Sequence, residues 1–396
     1  MNLLYVHESI GSLGGAEANV FITATEMKRR GHRVGLLTQR PTGKNEAAWH
    51  GLFGADVFWD EKDEWPDVLA RFDPAVVYMH KWENLDAIEA MLASGRPLIR
   101  MVHDHDIYCL RSYKYHPLSR RICTRPAGLY CVIPCLAPLK RNRGPGLPFK
   151  WVSYFAKLRE IGLVRRFQRH LVVTTYMRHE LEINGFDPAR IEIFPPVPRP
   201  VPPLTPSFSD RNLLIYAGQI IRGKGVDVLL RAMARVRTKF ELIILGDGSH
   251  KPACERLARE LGLTDRVTFK GFVPQVELQD YYRDASGVLI SSLWPEPIAT
   301  IGLEVMRFAL PVVAFDAGGI KDWLKDGETG YLVPWMNIDA YARRVEDLLA
   351  DKARARAMGE TGRKFVSEHY DFDRYIADLE ALFARVSADK ASAARP

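Results

Sequence analysis

The stretch FPPVPRPVPPLTPSFSD, residues 194–210, divides the chain into two halves of similar design. Its seven prolines fix φ and lack backbone N–H groups, so the stretch can form neither a helix nor a central strand. We therefore predict an extended linker at residues 195–210. It separates an N-terminal domain, residues 1–198, from a C-terminal domain, residues 211–369. A final helix over 370–388 is expected to cross back to the first domain.

Short aliphatic and β-branched runs alternate with amphipathic stretches on both sides of this linker. Examples of predicted strands are Leu3–Val6 and Val34–Thr38 in the first half, and Leu213–Ala217 and Phe240–Leu245 in the second. Many of these runs are continuously apolar, as strands of a parallel sheet covered on both faces should be. The predicted fold class is therefore α/β, with two Rossmann-like doubly wound domains that face a central cleft.

The amino-acid composition excludes a disordered protein and allows an anionic partner. Of 396 residues, 47% are hydrophobic and 26% charged, which excludes wholesale disorder. Lys and Arg number 55 against 48 Asp and Glu, a net charge of +7 that allows an anionic partner without identifying it. We expect neither a membrane span, which needs about 20 apolar residues, nor a signal peptide. The five cysteines are then expected to stay reduced, in the cytoplasm.

Two glycine-rich loops follow predicted strands, where open α/β sheets bind their ligands. GSLGGAE, residues 11–17, follows the first strand and could bring backbone N–H groups to an anion, or could be a plain tight turn. GQIIRGKG, residues 218–225, follows the first strand of the second domain. There Arg222 and Lys224 lie just before a helix and suit a diphosphate, although solvated loop charges are the alternative.

Two glutamates are spaced along the stretch WPEPIATIGLEVMRFALPVV, residues 294–313. Glu296 and Glu304 are eight residues apart, about 12 Å at the helical rise of about 1.5 Å per residue. That distance matches the span from a donor sugar, across a diphosphate, to a ribose. The start of the helix between them would then meet the diphosphate.

An ordered set of motifs resembles one known family. The run from Glu296 to Pro334 resembles the donor-site signature of glycosyltransferase family 4, which are retaining enzymes of the two-domain GT-B architecture. GGAE at 14–17, GKGVD at 223–227, LGDGS at 245–249 and VTFKGFVP at 267–274 follow in that family's order.

This resemblance implies roles for individual residues. Lys224, with Arg222, would stabilise the donor diphosphate. Glu304 would bind the ribose and Glu296 the transferred sugar, and His103, after the strand Leu98–Val102, would lie beside the reacting sugar. Val273 would line the nucleobase pocket, and further donor contacts would come from Gly14, Gly15, Gly218, Gln219, Pro297, Ile298, Ala299 and Thr300.

Two residues depart from the family pattern. Gln219 stands where the family has arginine, so Arg222 would have to supply the missing charge. Ala299 stands where the family has glycine, and its Cβ makes a close approach of backbone to phosphate harder.

Four of the five cysteines, Cys109, Cys123, Cys131 and Cys135, lie within 27 residues of one another. Four thiolates can hold a structural zinc ion tetrahedrally, with His105 or His116 as a substitute ligand. The spacing is not that of a standard zinc ribbon or finger, so free or redox-active thiols are the alternative. No catalytic metal is expected.

A basic segment over residues 140–171 carries nine Lys or Arg and one acid, Glu160. Trp151, Phe155 and Leu158 recur in it at helical spacing. Such a helix suits an anionic membrane surface, but it could equally pack its apolar face on the first domain.

We therefore expect a retaining glycosyltransferase that moves a sugar from a UDP- or GDP-sugar to a lipid-linked or polysaccharide acceptor, in cell-envelope or extracellular glycan synthesis. It would lie in the cytoplasm, peripherally on the inner face of the membrane. The alternatives are a sugar-nucleotide epimerase or hydrolase, and a non-catalytic binding protein with a degenerate donor cleft. Nucleic acid is not expected as a partner, and the missing GxGxxG motif disfavours a nicotinamide dehydrogenase.

Overall fold

The computed structural model describes residues 1–11, 14–116, 119–141, 149–199 and 208–393. Three predicted features fall partly outside these residues: 12–13 of the glycine loop, 142–148 of the basic segment and 200–207 of the linker. The chain forms two compact units. Unit 1 comprises Met1–Tyr113, Arg125–Pro200 and Phe372–Pro396, and unit 2 comprises Lys114–Thr124 and Val201–Asp371.

Unit 1 is built on a parallel sheet of seven strands. Its strands in chain order are β1 (Asn2–His7), β2 (Ser9–Ile10), β3 (Arg33–Thr38), β4 (Arg40–Pro41), β5 (Val57–Trp59), β6 (Val76–Lys81), β7 (Leu98–Val102), β8 (Leu139–Arg141), β9 (Phe149–Trp151), β10 (Arg169–Val172) and β11 (Ile191–Ile193). Its helices up to the linker are α1 (Gly15–Arg29), α2 (Glu46–Phe53), α3 (Trp65–Phe72), α4 (Leu85–Ala93), α5 (Tyr154–Val164) and α6 (Thr175–Ile183). The sheet order is β11-β10-β7-β6-β1-β3-β5, while β2 pairs with β4 and β8 with β9 outside it.

Unit 2 repeats the design with six parallel strands. They are β12 (Leu213–Ala217), β13 (Glu241–Leu245), β14 (Val267–Gly271), β15 (Gly287–Ile290), β16 (Val312–Phe315) and β17 (Gly330–Val333), in the order β14-β13-β12-β15-β16-β17. The helices are α7 (Val226–Met233), α8 (Lys251–Glu260), α9 (Gln275–Arg283), α10 (Thr300–Met306), α11 (Ile320–Trp323), α12 (Ile338–Ala350) and α13 (Lys352–His369). The predicted α/β class with two doubly wound domains is confirmed.

The strand order defines a switch point in each sheet, where ligands of such folds bind. In unit 1 the chain winds outward from β1 in one direction and from β6 in the other, so the switch lies between these two neighbours. In unit 2 it lies between β12 and β15. The central strands are buried, as their continuous apolar runs predict, and Leu3–Val6 and Leu214–Ile215 are inaccessible to solvent.

Two chain segments belong to the unit that is not next to them in sequence; the first of them is the predicted final helix. The last helix, α14 (Phe372–Ala393), follows unit 2 but belongs to unit 1, where Tyr375 accepts a hydrogen bond from Asn19 at 2.7 Å. Lys114–Thr124 interrupts unit 1 in sequence but belongs to unit 2, where the Arg120 guanidinium lies 2.7 Å from the Asp227 carboxylate. None of the helices described is long and apolar enough to cross a membrane.

Candidate functional site

A buried carboxylate marks the switch point of unit 2. Glu296 follows β15 by six residues, is 5% exposed, and its Oε1 atom accepts three hydrogen bonds. The donors are Lys224 Nζ at 2.7 Å, Trp294 Nε1 at 2.9 Å and the Ser292 hydroxyl. Within the described residues the other oxygen, Oε2, makes no hydrogen bond. One oxygen is therefore held rigidly, and the other is left to accept from a ligand.

The charge of this carboxylate follows from its neighbours. Burial alone would raise the pKa of Glu296, but the Lys224 ammonium and the three hydrogen bonds outweigh burial and hold the pKa below its ordinary value. Glu296 is therefore ionised at neutral pH and acts only as an acceptor. Such a group suits the hydroxyls of a sugar.

Two glycines bring the strand-end loops together around Glu296. Gly225 has φ of +67°, and a Cβ there would lie 2.1 Å from the backbone oxygen of Ser291. Gly318 has φ of +73°, and a Cβ there would lie 2.5 Å from the oxygen of Glu296. The loops after β12, β15 and β16 therefore touch backbone to backbone, which only glycine permits at these two points. This contact brings Lys224 against Glu296, although they are 72 residues apart in sequence.

The loop after β12 also presents exposed groups. Gly218 and Gln219 are exposed, and Arg222 and Lys224 lie in a 3₁₀ turn that leads into α7. Arg222 is exposed, and its side chain makes no ion pair or hydrogen bond within the described residues. Its guanidinium is thus available to an anion, whereas Lys224 is shared with Glu296.

The helix α10 begins from an unusual backbone conformation. Ala299, its N-cap residue, has φ of +56° and ψ of +65°, the left-handed region that favours glycine. Next to it, the Ile298 oxygen accepts a hydrogen bond from Trp323 Nε1 at 2.5 Å. Ala299 therefore adopts a backbone conformation that glycine takes without strain. Pro297 is half-buried and Thr300 exposed at this helix start.

Two further residues that were predicted to contact the sugar donor, Val273 and Glu304, lie on other elements of unit 2. Val273 is half-buried in the loop between β14 and α9, beside the exposed Phe272. Glu304 is half-buried on α10, where its charge acts on Tyr282 and Arg307. The structure thus brings Lys224 into contact with Glu296, while Glu304 and Val273 belong to separate elements.

A second polar cluster lies at the switch point of unit 1, where three histidines end adjacent strands. His7 ends β1, His80 is the next-to-last residue of β6, and His103 follows β7. His80 Nδ1 lies 2.8 Å from His103 Nε2, and the two rings stack at 5.1 Å. Burial, then the charges of His7 and Arg100, lower the pKa of His103 to about 3. His103 is therefore a neutral imidazole at physiological pH.

Two glycines of the predicted glycine loop lie at the start of α1. Gly14 is the N-cap residue and Gly15 the first residue of α1, and both are exposed. A Cβ at Gly15 would meet no atom within 4 Å, so the protein itself does not require glycine there.

The four predicted zinc ligands do not assemble. Cys109, Cys131 and Cys135 belong to unit 1 and Cys123 to unit 2, and all four side chains are half-buried. Across the residues that the structure describes, no three His, Cys, Asp or Glu side chains are placed to hold a metal ion. The zinc hypothesis therefore finds no support among the described residues.

The basic segment is partly neutralised. On α5, Lys157 pairs with Glu160 at 2.5 Å, and Arg159 contacts Asp86 and Glu89 of α4 at 2.7 Å and 2.6 Å. The helix buries one face, as the packing alternative predicts. Nevertheless, seven large apolar side chains are 38–78% exposed in and before it: Leu129, Ile133, Leu136, Leu139, Trp151, Phe155 and Leu158.

Several residues of these clusters escape sequence reasoning. Ser292 and Trp294 hold Glu296, and His80 contacts His103. Their position in the sequence could have indicated them, because they are polar residues at the carboxyl ends of strands next to the switch point.

The comparisons with known proteins agree with this architecture. The family models described as Glycosyltransferase Family 4 and Glycosyl transferases group 1 match residues 13–197 and 204–365. A GDP-mannose-dependent alpha-(1-6)-phosphatidylinositol monomannoside mannosyltransferase of Mycolicibacterium smegmatis is 31% identical over 186 residues. That match covers 45% of this chain and 49% of the relative, so the chain spans about half the length of the curated relative that it matches.

Other similarities extend over nearly the whole chain. A D-inositol 3-phosphate glycosyltransferase of Kineococcus radiotolerans is 26% identical and covers 90% of this chain and 88% of its own. A crystal structure of Anabaena HepE in complex with UDP and glucose superposes with a TM-score of 0.71 at 16% identity, covering 97% of this chain and 99% of that chain. At that identity the likeness shows the fold alone. The paired family models and the two doubly wound units together place this chain in glycosyltransferase family 4, with the GT-B fold.

Proposed function

We propose that the protein is a retaining glycosyltransferase that takes a sugar from a UDP- or GDP-sugar. The observation that carries the proposal is the contact of Lys224 with Glu296 at the switch point of unit 2. It sets a cation for a diphosphate next to an ionised acceptor for sugar hydroxyls. The similarity to transferases named for GDP-mannose and inositol phosphate supports the same class of reaction.

The donor would be bound mainly by unit 2. Arg222 and Lys224 neutralise the diphosphate, since a helix dipole alone cannot. Glu296 accepts from hydroxyls of the transferred sugar through Oε2, Glu304 accepts from the ribose, and Val273 lines the nucleobase pocket. The backbone of Gly218, Gln219 and residues 297–300 completes the phosphate site.

The acceptor would be bound by unit 1, with His103 beside the reacting sugar. In a front-face displacement the bond between the anomeric carbon and the diphosphate oxygen breaks as the acceptor oxygen attacks from the same side. The acceptor proton passes to the leaving diphosphate, so no carboxylate needs to act as base. The neutral His103 then contributes a hydrogen bond rather than a charge.

Nucleotide binding provides the first test. We expect UDP or GDP, but neither ADP nor NAD, to raise the melting temperature, since a ligand at 100 times its Kd stabilises by about 2.7 kcal/mol. Glu304→Ala should abolish the shift, and Glu260→Ala, a change at an exposed acid on α8, should keep it. A shift with no nucleoside diphosphate would contradict a donor site and favour the binding-protein alternative.

Transfer provides the second test. Glu296→Gln removes the negative charge but keeps the shape, and we expect it to lower transfer at least a hundredfold while nucleoside diphosphate binding is retained. Full-rate turnover of the nucleotide sugar without any acceptor would instead indicate a hydrolase or epimerase.

We further propose that the protein acts at a membrane surface on a lipid-linked or polysaccharide acceptor. The exposed apolar side chains between Leu129 and Leu158 support this, because exposed clusters of aromatic and aliphatic residues favour an interface. Co-sedimentation with vesicles that contain anionic lipid should be lost in Trp151→Ser/Phe155→Ser. It should persist in Ile193→Ser, which removes an exposed apolar side chain elsewhere in unit 1. Equal binding by both variants would contradict the proposal.

A further inference from the structure

Unit 1 contains a cavity of about 310 Å³ that the proposed donor chemistry does not use. It lies at the ends of β6 and β7 and against α5. The residues that matter to its chemistry are Lys81, Trp82, Arg100, Asp106, Trp151 and Lys157. Two tryptophans beside several charged groups are typical of a site for a polar ligand with a flat apolar face, such as a sugar.

Two of the three lining cations already have partners. Lys81 lies 2.9 Å from the Asp106 carboxylate and 3.2 Å from that of Glu8. Lys157 lies 2.5 Å from Glu160 and donates to the Asp106 backbone oxygen at 2.6 Å. These charges are neutralised within the protein.

Arg100 has no such partner. It is 4% exposed on β7, and within the described residues its guanidinium makes no hydrogen bond or ion pair. The nearby carboxylates of Glu160, Asp104 and Asp106 act on it only through space. A guanidinium stays charged in proteins, and a buried charge without a partner is costly. Such a group is therefore retained most readily when a ligand supplies the missing acceptors.

A second buried donor in the same wall is also unsatisfied. Trp82 is 2% exposed, and its Nε1 atom has no hydrogen-bond partner. Both unsatisfied groups, Arg100 and Trp82, can only donate. The carboxylates of Glu83, Asp106 and Glu160 also line the cavity, and Asp106 and Glu160 are paired with the two lysines. Arg100 and Trp82 therefore still lack acceptors, which favours a ligand whose oxygen atoms can accept from them.

The position of the cavity connects it with the acceptor side of the reaction. Arg100 precedes His103 by three residues, and its charge acts on that imidazole. At the other side, Trp151 is 71% exposed and belongs to the apolar segment described above. The cavity therefore shares the strand β7 with the histidine assigned to the reacting sugar, and shares Trp151 with the surface assigned to the membrane.

We infer that this cavity binds an oxyanion of the acceptor, a carboxylate or a phosphate attached to a sugar or polyol ring, through the guanidinium of Arg100. The fork of the guanidinium matches both groups bidentately. Trp151 offers its exposed ring to the apolar face of the sugar. This inference rests on the proposed transferase function and names the class of its acceptor.

The test uses small probes on the full chain, with a saturating nucleoside diphosphate present so that the donor site is filled. The probes are methyl glucuronide, mannose 6-phosphate and the neutral methyl mannoside, and the readout is Kd by calorimetry. We expect at least one anionic probe to bind ten times more tightly than the neutral one. Preference for the glucuronide or for the phosphate then distinguishes a carboxylated from a phosphorylated acceptor.

Arg100→Met should weaken the anionic probe at least tenfold, leave the neutral probe unchanged and keep nucleoside diphosphate binding. Arg159→Met, an exposed arginine on α5 outside the cavity lining, should bind all probes as the wild type does. Because Arg100 has no internal partner, Arg100→Met should also melt no lower than the wild type. Equal affinity for neutral and anionic probes, or an undiminished anion response in Arg100→Met, would overturn the inference. If the wild type did not bind any nucleoside diphosphate, that result would contradict the proposed function instead.

Discussion

Replacing Lys224 by methionine removes the ammonium charge that contacts Glu296 but keeps an unbranched side chain that can pack in the same place. Lys224 is about one quarter exposed, while Glu296 is buried and keeps its hydrogen bonds from Ser292 and Trp294. The variant therefore loses one charge-assisted hydrogen bond, worth about 1.5–3 kcal/mol. The loss is smaller than that of a buried charge left without any partner, because Glu296 keeps two hydrogen bonds. For a unit of this size, about 2 kcal/mol lowers the melting temperature by roughly 4–8 °C.

The pH dependence of stability should change sign at this site. In the wild type the pKa of Glu296 is lowered by folding, so its contribution to stability is present above the unfolded pKa and is lost as the pH falls through the folded pKa. Without Lys224, burial becomes the dominant influence and should raise the pKa above the unfolded value. The folded state then binds the proton more readily, and Lys224→Met should regain stability relative to wild type as the pH falls from 7 towards 5.

The assay is thermal unfolding of the full chain at several pH values, for Lys224→Met, Glu296→Gln and the double variant. The double variant should be more stable at pH 7 than Lys224→Met, because no buried carboxylate remains to be neutralised. Lys364→Met is the matched control, since Lys364 pairs with Glu368 at 3.9 Å on an exposed helix face and should contribute less than about 1 kcal/mol. A pH profile of Lys224→Met parallel to that of the wild type would refute the reasoning.

Three further predictions concern single positions. Ala299→Gly should raise stability by up to about 1 kcal/mol, because relief of the left-handed strain of about 1–2 kcal/mol exceeds the entropy cost of about 0.4–1 kcal/mol; a lower melting temperature would contradict this. Gly15→Ala and Gly51→Ala both add a methyl group in open space on a helix, so both should fold, but only Gly15→Ala should lose transferase activity; full activity of both would argue against an anion at α1. Arg120→Met should destabilise unit 2 by about 1–3 kcal/mol, because the half-buried Asp227 loses its guanidinium partner and keeps only His250, at 3.7 Å; an unchanged urea midpoint would show that the Lys114–Thr124 segment is not held by this pair.

Some features of the site follow from position along the chain alone. Lys224 and Glu296 both come just after apolar strand runs, and in a parallel sheet such loops share one edge. The glycines near these two residues and the ordered set of motifs can also be read directly from the sequence. What pairs them is the placement of β12 beside β15, which depends on where the winding direction reverses. Sequence periodicity does not report that reversal.

Other expectations failed or were incomplete because they treated neighbours in sequence as neighbours in space. The four cysteines lie close together in the chain, but they form no metal-binding group among the described residues, and Cys123 belongs to unit 2 while the other three belong to unit 1. Arg159 reads as a membrane cation, yet it contacts acids of α4 that are 70 and 73 residues away.

The sequence by itself determined the α/β class, the division at the proline-rich linker and the loops that carry the site, because hydrophobic period and proline content are local properties. Only the tertiary structure decided which polar side chains have a hydrogen-bond or ion-pair partner. Lys224 is held by Glu296, His103 meets His80, and Arg100 is left inside a cavity without an acceptor. Whether a buried polar group has a partner depends on atoms brought together by strand order and long-range packing, and no local pattern records it.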